Sequence, residues 1–287
     1  MHEKLKPLYK RLPEIDCLKC ANCCTKLRPA FGIAEFISFC RHLLNDIAKE
    51  DIIKIVNKKM PLPGCRFLGK DNLCTVRDYR PFACRIFGVK VLYKGRVISD
   101  YHREYTTKDK NKPVGPAMPL KRVHLLVKRL DDINSMLYPV KAPFWIRGLT
   151  FDAWLSLYMS NKIKGARLKR LQSILHKNLD LEFLRCFYED GVDIVRDFEQ
   201  FLKNLTLFKK RRYKEAFMGF FIPATPVLED YASAEKIFYC GMCLEALGNL
   251  KDSEDIYETV FIKTLYINPA LAKKAKKRIE CLKRLKG

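Results

Sequence analysis

Cys17-Leu18-Lys19-Cys20-Ala21-Asn22-Cys23-Cys24 packs four cysteines into eight residues, and three more follow in Cys65-Arg66-Phe67-Leu68, Cys74-Thr75-Val76 and Arg80-Pro81-Phe82-Ala83-Cys84-Arg85. An isolated free cysteine behaves as a small buried hydrophobe and has no reason to cluster with others. Seven together imply either a disulfide framework or a metal site. The opening Met1-His2-Glu3-Lys4-Leu5-Lys6-Pro7 has no apolar run of the kind a signal peptide needs, so a cytoplasmic location is expected. Disulfides are rare in a reducing cytosol, and eight of the twelve cysteines fall before residue 90. The pattern therefore predicts a metal site.

Thiolates two residues apart on a tight turn reach one ion together, which is why Cys-x2-Cys recurs in tetrahedral zinc and iron–sulfur sites. Cys17, Cys20, Cys23, Cys24, Cys65, Cys74 and Cys84 are the candidate ligands, enough for one four-thiolate centre with thiols to spare or for two centres sharing sulfurs. Cys23 and Cys24 are adjacent and diverge, so one mononuclear ion does not use both. Arg80 and Arg85 flank Cys84 and are candidates to donate hydrogen bonds to cluster sulfur. Their alternative is to cap a local turn or to pair with Asp78 or Glu35. Cys40 and His102 are weaker candidate ligands. Cys240-x2-Cys243 lies in a helical stretch at interface positions and, like Cys186 and Cys281, reads as core.

This arrangement, with Tyr79-Arg80-Pro81 before Cys84-Arg85 and Phe87 after it, resembles the YkgJ-type cysteine-cluster family. That family is described as a zinc- or iron-chelating domain and includes a flagellin lysine-N-methylase branch. All seven family cysteines have a counterpart, in order, across about residues 16–90. Ala21 departs from the family's usual glycine, and the methylase branch has a much longer chain. The resemblance implies a bound metal and no settled reaction.

The formal charge of +23 invites a nucleic-acid reading, but no single arm carries the surplus. Several cations, among them Lys19, Lys26, Arg28, Arg66 and Arg77, lie within the cysteine region, where up to seven thiolates would offset them. A lysine-rich solvated face is the alternative. Nucleic acid is not the expected partner. The longest apolar candidate, Phe217–Leu228, is interrupted by Gly219, Pro223 and Pro226, so no membrane span is expected.

Apolar residues from Phe36 to Ile55 recur at helical spacing and predict one or two helices between Ala34 and about Lys58. Asp71-Asn72 predicts a tight turn between Cys65 and Cys74. Pro81 suits the start of a short helix carrying Cys84 and Arg85 inward. Val89–Tyr93 and Arg96–Ser99, joined by Lys94-Gly95, predict a β-hairpin with Gly95 at positive φ. Residues 106–119 read as a loop, Leu120–Leu137 as a helix broken by Pro139 and Pro143, and everything from Phe151 onward as helical.

Tyr213-Lys214-Glu215-Ala216-x3-Phe220 aligns with Leu250-Lys251-Asp252-Ser253-x3-Tyr257 at an offset of 37 residues, with Ala234, Gly241, Leu244 and Gly248 between them. A small residue four positions before an aromatic, with glycine where helices touch, resembles the tetratricopeptide pattern over about residues 205–287. The usual period is 34, and the tryptophan of the pattern is absent. The alternative is an ordinary helical hairpin packed on its own protein.

The expected class is mostly α. A small cysteine-rich α+β metal-binding domain with a β-hairpin (1–105) precedes a loop and linking helix (106–150) and an α-helical, tetratricopeptide-like region (151–287). The function this suggests is a protein binding a zinc ion or an iron–sulfur cluster, active in redox chemistry or in modifying a protein or peptide client held by the helices. The alternative is a non-catalytic adaptor with a structural zinc.

Overall fold

A computed structural model describes residues 2–14, 24–25, 29–58, 64–87, 89–94, 96–99, 116–138, 149–161, 163, 166–187, 194–221, 232–265 and 268–286. Cys17, Cys20, Cys23, Gly95, His102, Pro139, Pro143 and the loop at 106–115 lie outside the described residues. The fold is mostly helical with a few short strands.

After α1 (His2–Tyr9) and β1 (Ala30–Phe31), the periodic segment forms two helices, α2 (Ile33–Asp46) and α3 (Lys49–Asn57). Ile33, Phe36, Ile37, Cys40 and Leu43 share the buried side of α2. Gly32 is its N-cap, and the Glu35 carboxylate returns to accept the Gly32 N–H at 2.9 Å, one arm of a capping box. The acids Glu50 and Asp51 sit in the first turn of α3, where the helix dipole favours them.

β1 pairs antiparallel with β5 (Leu149–Thr150), which leads directly into α6 (Phe151–Met159). The Thr150 hydroxyl caps α6 by accepting the Ala153 N–H at 3.3 Å. Every residue of α6 is buried, so this helix is the axis of the main core. Trp154 donates its indole N–H to the Phe31 carbonyl at 2.9 Å and stacks on Phe36. Phe31, Phe39, Phe67 and Phe151 complete an edge-to-face aromatic cluster around it. The core is continuous from this cluster through Leu168, Leu171 and Leu175 on α7 (Ala166–Asn178) to Phe201, Phe220 and Cys243 further along the chain. Gln172 on α7 closes the C-terminal end of α6 by donating to the carbonyls of Leu157, Tyr158 and Ser160.

α4 (Phe82–Ile86) begins immediately after Pro81, and the hairpin β2 (Lys90–Tyr93) with β3 (Arg96–Ser99) follows, antiparallel as its sequence predicts. Within the turn, Lys94 has φ of +49°. One expectation is corrected. Residues 117–119 are not loop but a strand, β4 (Ala117–Pro119), which adds parallel to β2 and makes the sheet order β3-β2-β4. Only the middle residue of β4, Met118, is buried, so three residues carry no readable alternation. Pro119, lacking an N–H, fits this edge position. β4 runs straight into α5 (Leu120–Leu137), whose Val123, Leu126, Val127 and Ile133 form a second core with Leu5, Leu8, Phe82, Val89 and Val91.

Beyond a 3-10 segment (Glu182–Phe187), five helices follow: α8 (Ile194–Lys209), α9 (Tyr213–Phe221), α10 (Ala232–Ala246), α11 (Leu250–Thr264) and α12 (Pro269–Lys286). Each packs chiefly on the next. Gly248, at φ +83°, ends α10, where the Asn249 N–H reaches back to the Leu244 carbonyl at 2.9 Å. The Asn249 side chain then caps α11. Gly241 lets the buried Tyr257 ring lie against α10, since a Cβ there would sit 2.8 Å from Tyr257 Cε1. Ser253 binds the Gly241 carbonyl at 2.9 Å. Ala216 and Phe220 are likewise buried on α9. Among the described residues no helix is long and apolar enough to cross a membrane.

Candidate metal centre

The segment between Cys65 and Cys74 turns back on itself. Leu68 and Cys74 form an antiparallel bridge, and the Thr75 amide and hydroxyl both donate to the Phe67 carbonyl, at 2.9 and 3.0 Å. The tip is closed by the Gly69 N–H to the Leu73 carbonyl at 2.7 Å. Asp71 accepts the Leu73 N–H at 3.1 Å, and Asn72 takes φ of +61°, a conformation asparagine tolerates well. The turn expected at Asp71-Asn72 therefore places Cys65 and Cys74 on opposite arms of one small hairpin.

Cys24 joins these arms through the main chain, its carbonyl accepting the Cys65 N–H at 2.7 Å. Cys65 is buried in the aromatic core beside Phe67, while Cys24 and Cys74 are partly buried against the same core. The hairpin is held from behind by two cations. Lys58 donates to the Leu68 carbonyl. Arg66 donates to the carbonyls of Val56 and Lys58 and pairs with Asp152 at the start of α6. The residue next to Cys65 is thereby tied to the central helix.

Cys84 approaches from another direction. It rides on α4, whose Phe82 and Ile86 pack into the second core rather than the aromatic one. A carboxylate fixes this helix: Glu35 accepts the Phe82 N–H at 2.6 Å and the Tyr9 hydroxyl at 2.7 Å, besides its bond from Gly32. Glu35 is 3 % exposed. Burial raises its pKa above the ordinary carboxylate value, against the three hydrogen bonds that favour the charged form. The Tyr9 phenol is pushed well up, first by burial and then by Glu35, with a smaller contribution from Cys84 that locates this thiol nearby.

The arginines that flank Cys84 bind the turn leading to it. Arg80 Nε donates to the Arg77 carbonyl at 2.9 Å. Arg85 Nε donates to the Arg80 carbonyl at 2.7 Å, another of its nitrogens donates to the Asp78 carbonyl, and its guanidinium lies 4.4 Å from the Tyr9 ring centroid. These contacts are turn-capping bonds to carbonyls. The anchoring role of Glu35 is the residue function that spacing alone does not reveal; its signal is Gly32-x2-Glu35, a capping-box spacing just ahead of an apolar run.

Four of the seven predicted ligands are thus described, three of them on or beside one hairpin and Cys84 on α4. Among the described residues no disulfide forms, and no group of three or more His, Cys, Asp or Glu is arranged to hold a metal ion. The donor chemistry suits zinc or an iron–sulfur cluster, because the described ligands are soft thiols held by main-chain bonds that leave their sulfur atoms uncommitted to the turn. The other cysteines sit apart. Burial pushes the thiols of Cys240 and Cys243 up to about 12 and about 11, and that of Cys40 well up. All three are core residues.

No family model, curated protein or solved structure matches the chain.

Proposed function

We propose that the chain is a metal-binding cysteine-cluster protein whose helical C-terminal part holds a protein or peptide client. Cys17, Cys20, Cys23, Cys24, Cys65, Cys74 and Cys84 are its ligands. The observation that carries this reading is the sevenfold cysteine pattern, and the hairpin that sets Cys65 and Cys74 on facing arms, with Cys24 bonded to Cys65, supports it. The resemblance to the YkgJ-type family points the same way. A bound zinc ion would supply a stabilising centre or a Lewis acid, and an iron–sulfur cluster would supply electron transfer. The chain's own residues do the positioning: Glu35 and Tyr9 fix the helix of Cys84, and Arg66 with Lys58 fixes the hairpin of Cys65 and Cys74. The client-holding part rests on the tetratricopeptide-like series α8–α12, in which small residues admit buried aromatics between successive helices.

A structural zinc in a non-catalytic adaptor is the second reading, favoured by the burial of Cys65 within the aromatic core. Anaerobic purification with metal analysis and an absorption spectrum separates the two. Brown protein with broad absorption near about 400 nm would sink the structural-zinc reading. Colourless protein with stoichiometric zinc would sink the iron–sulfur version.

A further inference from the structure

α8 and α9 diverge around a cavity of about 580 Å³. Its wall includes Asn204, which is 1 % exposed and whose amide Nδ2 has no hydrogen-bond partner among the described residues. The other end of that amide is occupied, since Oδ1 accepts from Gln200 at 3.0 Å. Gly219 makes room for it, because a Cβ there would stand 2.2 Å from Asn204 Oδ1. A buried donor left unmatched costs stability, and an acceptor entering the cavity recovers that cost.

The rim is cationic. Lys203 and Lys214 are exposed at the cavity and form no ion pair among the described residues. Arg212 is already tied to Glu215. The site therefore offers an orphan amide donor and two uncommitted ammonium groups, all seeking oxygen acceptors. Glu215 at the same rim disfavours a doubly charged phosphate more than a singly charged carboxylate. Leu207 and Met218 supply apolar wall suited to an aliphatic stem.

We propose that this cavity binds a carboxylate side chain or terminus of an acidic peptide, with Asn204 Nδ2 donating to the carboxylate and Lys203 and Lys214 setting the charge preference. The inference rests on the client-holding part of the proposed function and names the chemistry of that client. It makes no use of the metal.

The test is fluorescence anisotropy on the full chain with two labelled decapeptides, one glutamate-rich and one with glutamine at the same positions. The acidic peptide should bind at least tenfold tighter than its neutral counterpart. Asn204→Leu should weaken it about tenfold or more, the loss of a hydrogen bond to a charged group, while the fold stays at least as stable because the orphan donor is gone. Because a chain of net charge +23 attracts any polyanion, a charge-matched control is needed. Lys203→Glu/Lys214→Glu should abolish binding, whereas Lys273→Glu/Lys277→Glu on exposed α12 positions should cost less than about threefold, the screened effect of distant charges. Equal losses in the two double variants would overturn the site. Equal binding of the two peptides would leave client holding intact and overturn the carboxylate preference. Displacement by millimolar inorganic phosphate but not by acetate would also overturn it. Binding of neither peptide, by a preparation whose metal content is normal, would refute this inference while leaving the metal reading in place.

Discussion

Replacing Glu35 with glutamine tests whether one buried carboxylate holds the helix of Cys84 in place. Oε1 accepts two donors, the Phe82 amide at 2.6 Å and the Tyr9 hydroxyl at 2.7 Å, and Oε2 accepts the Gly32 amide at 2.9 Å. Glutamine keeps one oxygen. Its better orientation retains the pair at Oε1 and turns an NH2 toward the Gly32 N–H. One charge-assisted bond is lost, at about 1.5–3 kcal/mol, and the remaining two weaken, while removing a buried charge offsets part of the loss. The expected net cost is about 2 kcal/mol, a fall in Tm of roughly 4–8 °C. Glu35→Ala loses all three bonds and should cost about 4 kcal/mol. The pH dependence has a definite sign. Because folding raises the Glu35 pKa, its contribution is complete below the ordinary carboxylate value and declines as pH rises through the raised value. Glu35→Gln lacks that decline, so its deficit should narrow with rising pH. Thermal melts across pH 4–8, with hydrogen exchange at the Phe82 amide, measure both effects. Unchanged Tm and unchanged Phe82 protection in Glu35→Gln would refute the anchoring role.

Gly241→Ala should lower stability by about 1–2 kcal/mol despite alanine's better helix propensity, because its Cβ meets the buried Tyr257 ring at 2.8 Å and Ile256 at 3.0 Å; a stabilised variant in urea titration would count against that packing. Asp152→Ala should cost about 2 kcal/mol, less than the 3–5 of a fully buried pair, since the Arg66 side chain is 25 % exposed and keeps its carbonyl partners; denaturant midpoints check this, and a neutral result would show that the pair does not brace the hairpin. With thiol pKa values near 12 and 11, only about one Cys240 in 10,000 and one Cys243 in 1,000 is thiolate at pH 8. Iodoacetamide mapped by mass spectrometry should therefore modify both far more slowly than the partly exposed Cys281, and equal rates would be inconsistent with their burial.

Sequence reading succeeded where a local rule decides the structure. The periodicity from Phe36 to Ile55 became α2 and α3, Leu120–Leu137 became α5 at those bounds, and the turn at Asp71-Asn72 and the pairing of β2 with β3 followed from turn chemistry. It failed where the partner is distant in sequence. β1 and β5 are two residues each and pair across more than a hundred intervening positions, and β4 exists only because β2 offers an edge. The all-round burial of α6, including Asp152 and Ser156, reflects Arg66 and the aromatic cluster that surround it rather than any periodicity of its own. At the candidate centre, spacing named the cysteines, and the tertiary fold divides the described ones between a hairpin on the aromatic core and a helix on the second core. Glu35 carried a capping signal, yet its bonds to Tyr9 and Phe82 depend on contacts 26 and 47 residues away.

Metal content per chain bears most directly on the central claim. Anaerobically purified wild type should carry at least one equivalent of zinc, or the iron of a cluster, and Cys65→Ser/Cys74→Ser should lose it, whereas Cys240→Ala/Cys243→Ala should retain it. Wild type free of zinc and iron, or equal metal in all three proteins, would contradict the account.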